Sequence, residues 1–170
     1  IGGLVGNVNA TAAMPNPMVL RRCYNSGNLT SKATASKSST GMGGLLALFT
    51  PGTLVDSCYN TGTITQSAKC TYAGGLIGWN SSNSTVEDCF NAGEVEITID
   101  PVENANHHNL TDGYSAGGLA GASAASYVRC YNIGTVTGKC RVGGLVGETS
   151  KNTTSFTSCY NAGKLVAPVD

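Results

Sequence analysis

With 170 residues and 17.3 kDa, the chain is the size of one domain or of one segment of a larger protein, which excludes a multi-domain enzyme. Ten basic residues balance ten acidic ones and only 12% of residues are charged, so no electrostatic footprint for nucleic acid is present. Glycine fills 23 positions while aromatics make up 6%, so small residues must pack backbone against backbone, as in a repeat protein.

The first unit opens with Gly2-Gly3-Leu4-Val5-Gly6 and, after an insertion over residues 10–20, reaches Cys23-Tyr24-Asn25 with Gly27. A second insertion, residues 31–42, leads to Gly43-Gly44-Leu45-Leu46-Ala47, where alanine replaces the last glycine, and then to Cys58-Tyr59-Asn60 with Gly62. The third unit runs from Gly74-Gly75-Leu76-Ile77-Gly78 to Cys89-Phe90-Asn91 with Gly93. The longest insertion, residues 97–115, precedes Gly117-Gly118-Leu119-Ala120-Gly121 and Cys130-Tyr131-Asn132 with Gly134. The fifth unit holds Gly143-Gly144-Leu145-Val146-Gly147 and Cys159-Tyr160-Asn161 with Gly163.

An apolar residue stands three before each cysteine (Leu20, Val55, Val86, Tyr127, Phe156) and another six after it (Leu29, Ile64, Val95, Val136, Leu165). These offsets are fixed, whereas the cysteines step by 35, 31, 41 and 29 residues, so the insertions belong in loops. Each unit reads as three β-favouring stretches, the GGL word, apolar-x-x-Cys-Tyr-Asn, and Gly-x-[Val/Ile/Leu]-Thr, and none is long enough for a helix. The fold predicted is all-β: a parallel β-helix of about five coils with loop insertions, in which each unit makes one coil and equivalent side chains stack as ladders. At the usual strand spacing such a rod is only about 24 Å tall.

These words resemble GLUG repeats, named for a G-L-any-G core, as in GGLVG at residues 2–6, with the trailing CYN-x-G pattern of residues 58–65. The resemblance covers essentially the whole chain; Ala47, Phe90, Glu96 and Val166 are modest departures. It implies a bacterial, extracellular or cell-surface setting, in large secreted or surface-attached proteins that include immunoglobulin A peptidases. There the repeats lie apart from the catalytic domain, and the zinc-binding HExxH motif of such peptidases is absent from this sequence.

The chain begins at Ile1 without Met or a leader, inside a recurring word, so residues 1–170 are read as a single repeat segment cut from a larger protein. No apolar run approaches the roughly 18 to 20 residues needed to span a bilayer, and no membrane insertion is expected.

Five of the seven cysteines belong to the repeat word, at spacings unlike zinc pairs, and are read as a column of buried reduced thiols. Cys70 and Cys140 lie outside it, two coils apart, too far to bridge in an in-register stack. In an extended word the cysteines and the following rings cannot both point inward. Which column faces in stays open, with rings packed as core the preferred reading for Tyr24, Tyr59, Phe90, Tyr131 and Tyr160.

His107-His108, near Glu103 and Asp112, are read as a solvated loop, and no metal or cofactor is assigned. There is no nucleophile elbow and the acids scatter along the chain, so no catalytic residue is assigned and the chain is read as no enzyme. The threonines of Thr63-Ile64-Thr65 and Thr135-Val136-Thr137 are similar to ice-binding arrays, but Asn28, Glu94, Glu96, Lys164 and Val166 interrupt that plane.

The function expected is a non-catalytic stalk, spacer or adhesion-type presentation surface, with residues 97–115 as contact residues toward a host or cell-surface protein or glycan. The alternative is a carbohydrate-binding module using Tyr59, Tyr131 and Trp79 as platforms. Strand edges at both ends of the rod predict weak end-to-end self-association.

Overall fold

Glycine and asparagine punctuation keeps every extended stretch short. The computed structural model describes residues 1–8, 18–32, 41–49, 52–67, 72–81, 83–98, 114–149 and 154–167, and its strands are two to four residues long. Each of coils two to five contains five of them rather than three. The second coil is representative: Gly41–Gly43, Leu46–Phe49, Leu54–Asp56, Tyr59–Asn60 and Ile64–Gln66. Coil one contributes its last three strands, Val19–Arg21, Tyr24–Asn25 and Leu29–Ser31, and joins the first two sheets through single bridges at Gly2 and Val5.

Corresponding strands of successive coils pair in parallel, giving five sheets that run the length of the rod. Pairing is strictly in register, so Tyr59 sits between Tyr24 and Phe90, and Val86 between Val55 and Tyr127. The architecture is the expected parallel β-helix of five coils.

The count of five strands arises because two of the expected stretches bend. The GGL word is not a strand but a two-residue fold at Gly44-Leu45, Gly75-Leu76, Gly118-Leu119 and Gly144-Leu145, separating the first and second sheets. The cysteine word turns at the residue before each cysteine, where Arg22, Ser57, Asp88, Arg129 and Ser158 all hold φ between 52° and 54°. This left-handed conformation is uncommon for residues with a side chain, and the same corner recurs in all five coils.

The fold at the GGL word wedges the first two sheets into the open side of the coil. Its tip is so close to the fourth sheet that a Cβ built on Gly75 would lie 2.2 Å from the Gly118 carbonyl oxygen and 2.2 Å from Asn91 Cγ. Only glycine fits there. The wedge separates two apolar clusters. On one side Leu45, Leu46, Leu76, Ile77 and Leu119 pack against Val55, Val86, Tyr127 and the cysteines; on the other Met42, Ala73 and Ala116 pack against Ile64, Val95 and Val136.

Candidate functional surface

The corner before each cysteine decides the orientation that an extended reading leaves open. Because the chain turns there, the sulfur points inward and the following ring outward. Cys58, Cys89 and Cys130 are fully buried, Cys23 and Cys159 are half-buried at the ends, and all five are free thiols. The preferred reading of the rings as core is corrected: it assumed an unbroken strand.

Each buried thiol donates to the carbonyl two residues back, at 3.1 Å for Cys58 to Asp56 and 3.0 Å for Cys89 to Glu87. The Cys58 and Cys89 sulfurs in turn accept the backbone N–H of Cys23 and Cys58, each at 3.3 Å. Hydrogen bonding to the Cys130 and Cys58 sulfurs, together with burial, pushes the Cys89 thiol above the usual thiol range. The column is a stack of buried thiols whose sulfurs also satisfy backbone donors at the corner.

Asparagine at the third position of the word forms a column to which sequence reasoning gave no role. Asn60, Asn91 and Asn132 are fully buried. Each Nδ2 donates to the glycine carbonyl two residues on and to Oδ1 of the next coil's asparagine, as in Asn60 to Gly62 at 2.8 Å and Asn60 to Asn91 at 2.9 Å. Each Oδ1 also accepts that glycine's N–H, at 3.2 Å in Asn91 with Gly93. The column closes the turn after the fourth sheet and fills the polar needs of its own interior. Its signal in sequence is the unbroken Asn-x-Gly spacing.

Outside the fourth sheet the rings stack into one column. Centroids of Tyr24, Tyr59, Phe90, Tyr131 and Tyr160 are 5.1, 4.9, 5.0 and 5.1 Å apart, with planes within 6° of parallel. Every internal ring therefore has both faces covered by its neighbours and presents only its edge. Tyr24 and Tyr160, 56% and 53% exposed, each keep one open face, at opposite ends. Trp79 belongs to a different sheet, the second, and stacks on Tyr72 with centroids 6.0 Å apart. The three residues considered as glycan contacts are thus not brought onto one platform.

Charges beside the ring column pair across coils. Arg21 reaches Asp56 at 2.6 Å, and Arg129, at a left-handed corner, makes two 2.6 Å bonds to Asp88 of the preceding coil. The Arg129 guanidinium holds the Asp88 carboxyl below the usual carboxylate range.

The opposite edge is built differently. Turns from first to second sheet always span two residues, third to fourth two, and fourth to fifth three. Connections from the fifth sheet to the next coil's first span from four to 17 residues, and those from second to third from two to five. Both variable sets begin and end at one edge, because the start of each first-sheet strand lies against the end of a second-sheet strand. The Tyr72 and Trp79 stack is one such contact, and the 3.1 Å bond from Ser115 Oγ to Glu148 is another.

The ends of the longest insertion are core: Ile97, Tyr114 and Ser115 are buried, which corrects their inclusion among contact residues. Thr98 is exposed, and residues 99–113 with Glu103, His107, His108 and Asp112 lie outside the described residues, as does Cys70. Cys140 is a half-buried free thiol. Among the described residues no cluster of three or more His, Cys, Asp or Glu side chains is arranged to hold a metal ion, and no helix is long and apolar enough to cross a membrane.

A family model described as the GLUG motif matches residues 69–98. The chain carries a GLUG motif. The matched span contains coil three from Tyr72–Gly74 to Val95–Ile97, so one GLUG motif corresponds to one turn of the helix, and its strands pair in register with the same words in coils two and four. No curated protein and no solved structure matches the chain.

Proposed function

We propose that this GLUG array is a non-catalytic spacer and presentation segment of a large bacterial secreted or cell-surface protein. In this reading it holds a row of loops toward a host or neighbouring-cell partner, protein or glycan. The observation that carries the reading is the division between the two edges. Turn lengths on the ladder edge are invariant from coil to coil, as a rod of constant rise requires, while the connections at the opposite edge vary from two to 17 residues without disturbing the register.

The second reading, a carbohydrate-binding module, is favoured by the outward position of the rings. Sugar platforms use ring faces, however, and here the faces of Tyr59 and Tyr131 are covered by their stacking partners. A glycan array probed with the intact chain and with Tyr59→Ala and Tyr131→Ala separates the two. The spacer reading expects no saturable signal that either substitution removes; saturable binding lost in both variants establishes the glycan reading instead.

A further inference from the structure

We infer that a notch spanning coils two to four, where the second sheet connects to the third, is a binding site for a neutral sugar unit. It lies at the edge whose connections vary, so it deepens the presentation role proposed above and rests on it.

The notch follows from the lengths of those connections. Coils two and three use four residues, 50–53 and 81–84, whereas coil four passes from Ala120–Ser123 to Ser126–Val128 through Ala124 and Ala125 alone. Backbone bonds hold the short connection down against coil three: Ala124 N–H donates to the Asn80 carbonyl at 3.1 Å, and Ser126 N–H to the Ser84 carbonyl at 2.9 Å. The Ala125 N–H is taken up by Ser123 Oγ at 3.0 Å. Asn83 on coil three is exposed while Ala124 on coil four is buried, and the step between them borders a cavity of about 480 Å³ that extends to Gly52 and Leu54 of coil two. That volume falls within the range of about 300 to 1,000 Å³ usual for small-molecule sites.

The lining selects the chemistry of the ligand. Thr53, Ser84, Thr85 and Ser126 bring hydroxyls, Asn83 an amide, and Leu54 a patch of apolar surface. Among the described residues none that lines the notch is charged, so an anion or cation would lose water there without gaining a counter-charge. A purely apolar ligand would strip water from the hydroxyls instead. A pyranose avoids both costs, because its ring C–H groups can lie on Leu54 while its hydroxyls both donate to and accept from the lining.

Ser84 marks the lining as unfinished. It is 8% exposed, and its Oγ has no hydrogen-bond partner among the described residues. Its neighbours in the chain, Asn83 and Thr85, are described, and so are Thr53 and Ala125 at the same position of the adjacent coils. On the coil-four side that neighbour is an alanine, which offers the hydroxyl nothing to bond. A buried hydroxyl without a partner is costly, and a ligand hydroxyl seated in the notch supplies the partner.

The test is amide chemical-shift mapping of the isotope-labelled chain, titrated with methyl β-galactoside, methyl α-mannoside and methyl N-acetyl-β-glucosaminide, with methyl β-glucuronide as the charged counterpart. At least one neutral glycoside is expected to shift Gly52, Ser84, Thr85 and Ser126 saturably, and the glucuronide to bind more weakly. Ser126→Leu fills the notch and is expected to abolish these shifts, while Ser84→Ala weakens binding by about two- to tenfold. The chain itself carries both side chains in the same columns, Leu54 in that of Ser126 and Ala125 in that of Ser84, so both variants are expected to fold. Thermal melts verify this; should Ser126→Leu fail, Thr85→Leu fills the same notch. No saturable shift with any neutral glycoside up to its solubility limit overturns the inference. So do shifts that survive Ser126→Leu, an affinity unmoved by Ser84→Ala, or a preference for the glucuronide. An empty notch leaves the spacer reading standing, and an array signal lost with Tyr59 and Tyr131 removes that reading without touching the notch, so the two fail separately.

Discussion

The inner and terminal coils carry the same words in different surroundings. Leu45, Leu76 and Leu119 are completely buried, whereas Leu4 in the same column is 43% exposed; Val55, Val86 and Tyr127 are completely buried, whereas Phe156 is 45% exposed. Burial here is a property of having a neighbour on each side, not of the residue. The difference teaches that stability in this chain is a sum of coil-to-coil interfaces, each reporting only on the coils it joins.

The sharpest way to break an inner interface is to put a methyl group where backbone already sits. Gly75→Ala forces a Cβ against the Gly118 carbonyl and Asn91 and is expected to cost about 3 kcal/mol or more, while Gly6→Ala, with nothing within 4 Å, is expected to be silent. Chemical denaturation of the two variants checks this. Next in size is Leu76→Ala, expected to cost about 2 to 5 kcal/mol against less than about 1 kcal/mol for Leu4→Ala. Asn91→Ala, which strips partners from Asn60, Gly93 and Asn132, should cost about 2 to 3 kcal/mol, and Asn161→Ala well under half of that. Equal losses at inner and end positions in either pair would show that the coils do not behave as separable neighbours.

Thiol labelling followed by mass-spectrometric mapping sharpens the same comparison without mutation. Cys58, Cys89 and Cys130 are expected to stay protected until unfolding, and Cys23 and Cys159 to react slowly in the native state. The smallest effect is electrostatic. Arg129→Ala should raise the Asp88 titration midpoint followed by NMR. Because the folded-state value is depressed in the wild type, this pair's contribution is present above the unfolded aspartate value and fades as pH falls through the folded one. An unmoved midpoint would mean that the pair is not formed in solution.

Much of this was legible in the residues. Five copies of two words at fixed internal offsets give the parallel coil, the in-register ladders and the location of length variation, because a solenoid repeats in space what the chain repeats in order. The family resemblance follows from the same words and agrees with the GLUG match at residues 69–98. The direction of the cysteine and ring columns was not legible. It depends on a left-handed corner at Arg22, Ser57, Asp88, Arg129 and Ser158, five positions with three different side chains and no glycine to mark them.

The sequence by itself determined the number of coils, their register and the apolar columns, since each follows from local spacing. The tertiary structure alone decided that the GGL word is a wedge whose glycines touch buried asparagines, and that the thiols face in while the rings stack outside. It also decided that all variable connections share one edge. Those features depend on contacts between segments that are distant in the chain, and a repeat pattern sets which residues are equivalent without setting what they meet across the coil.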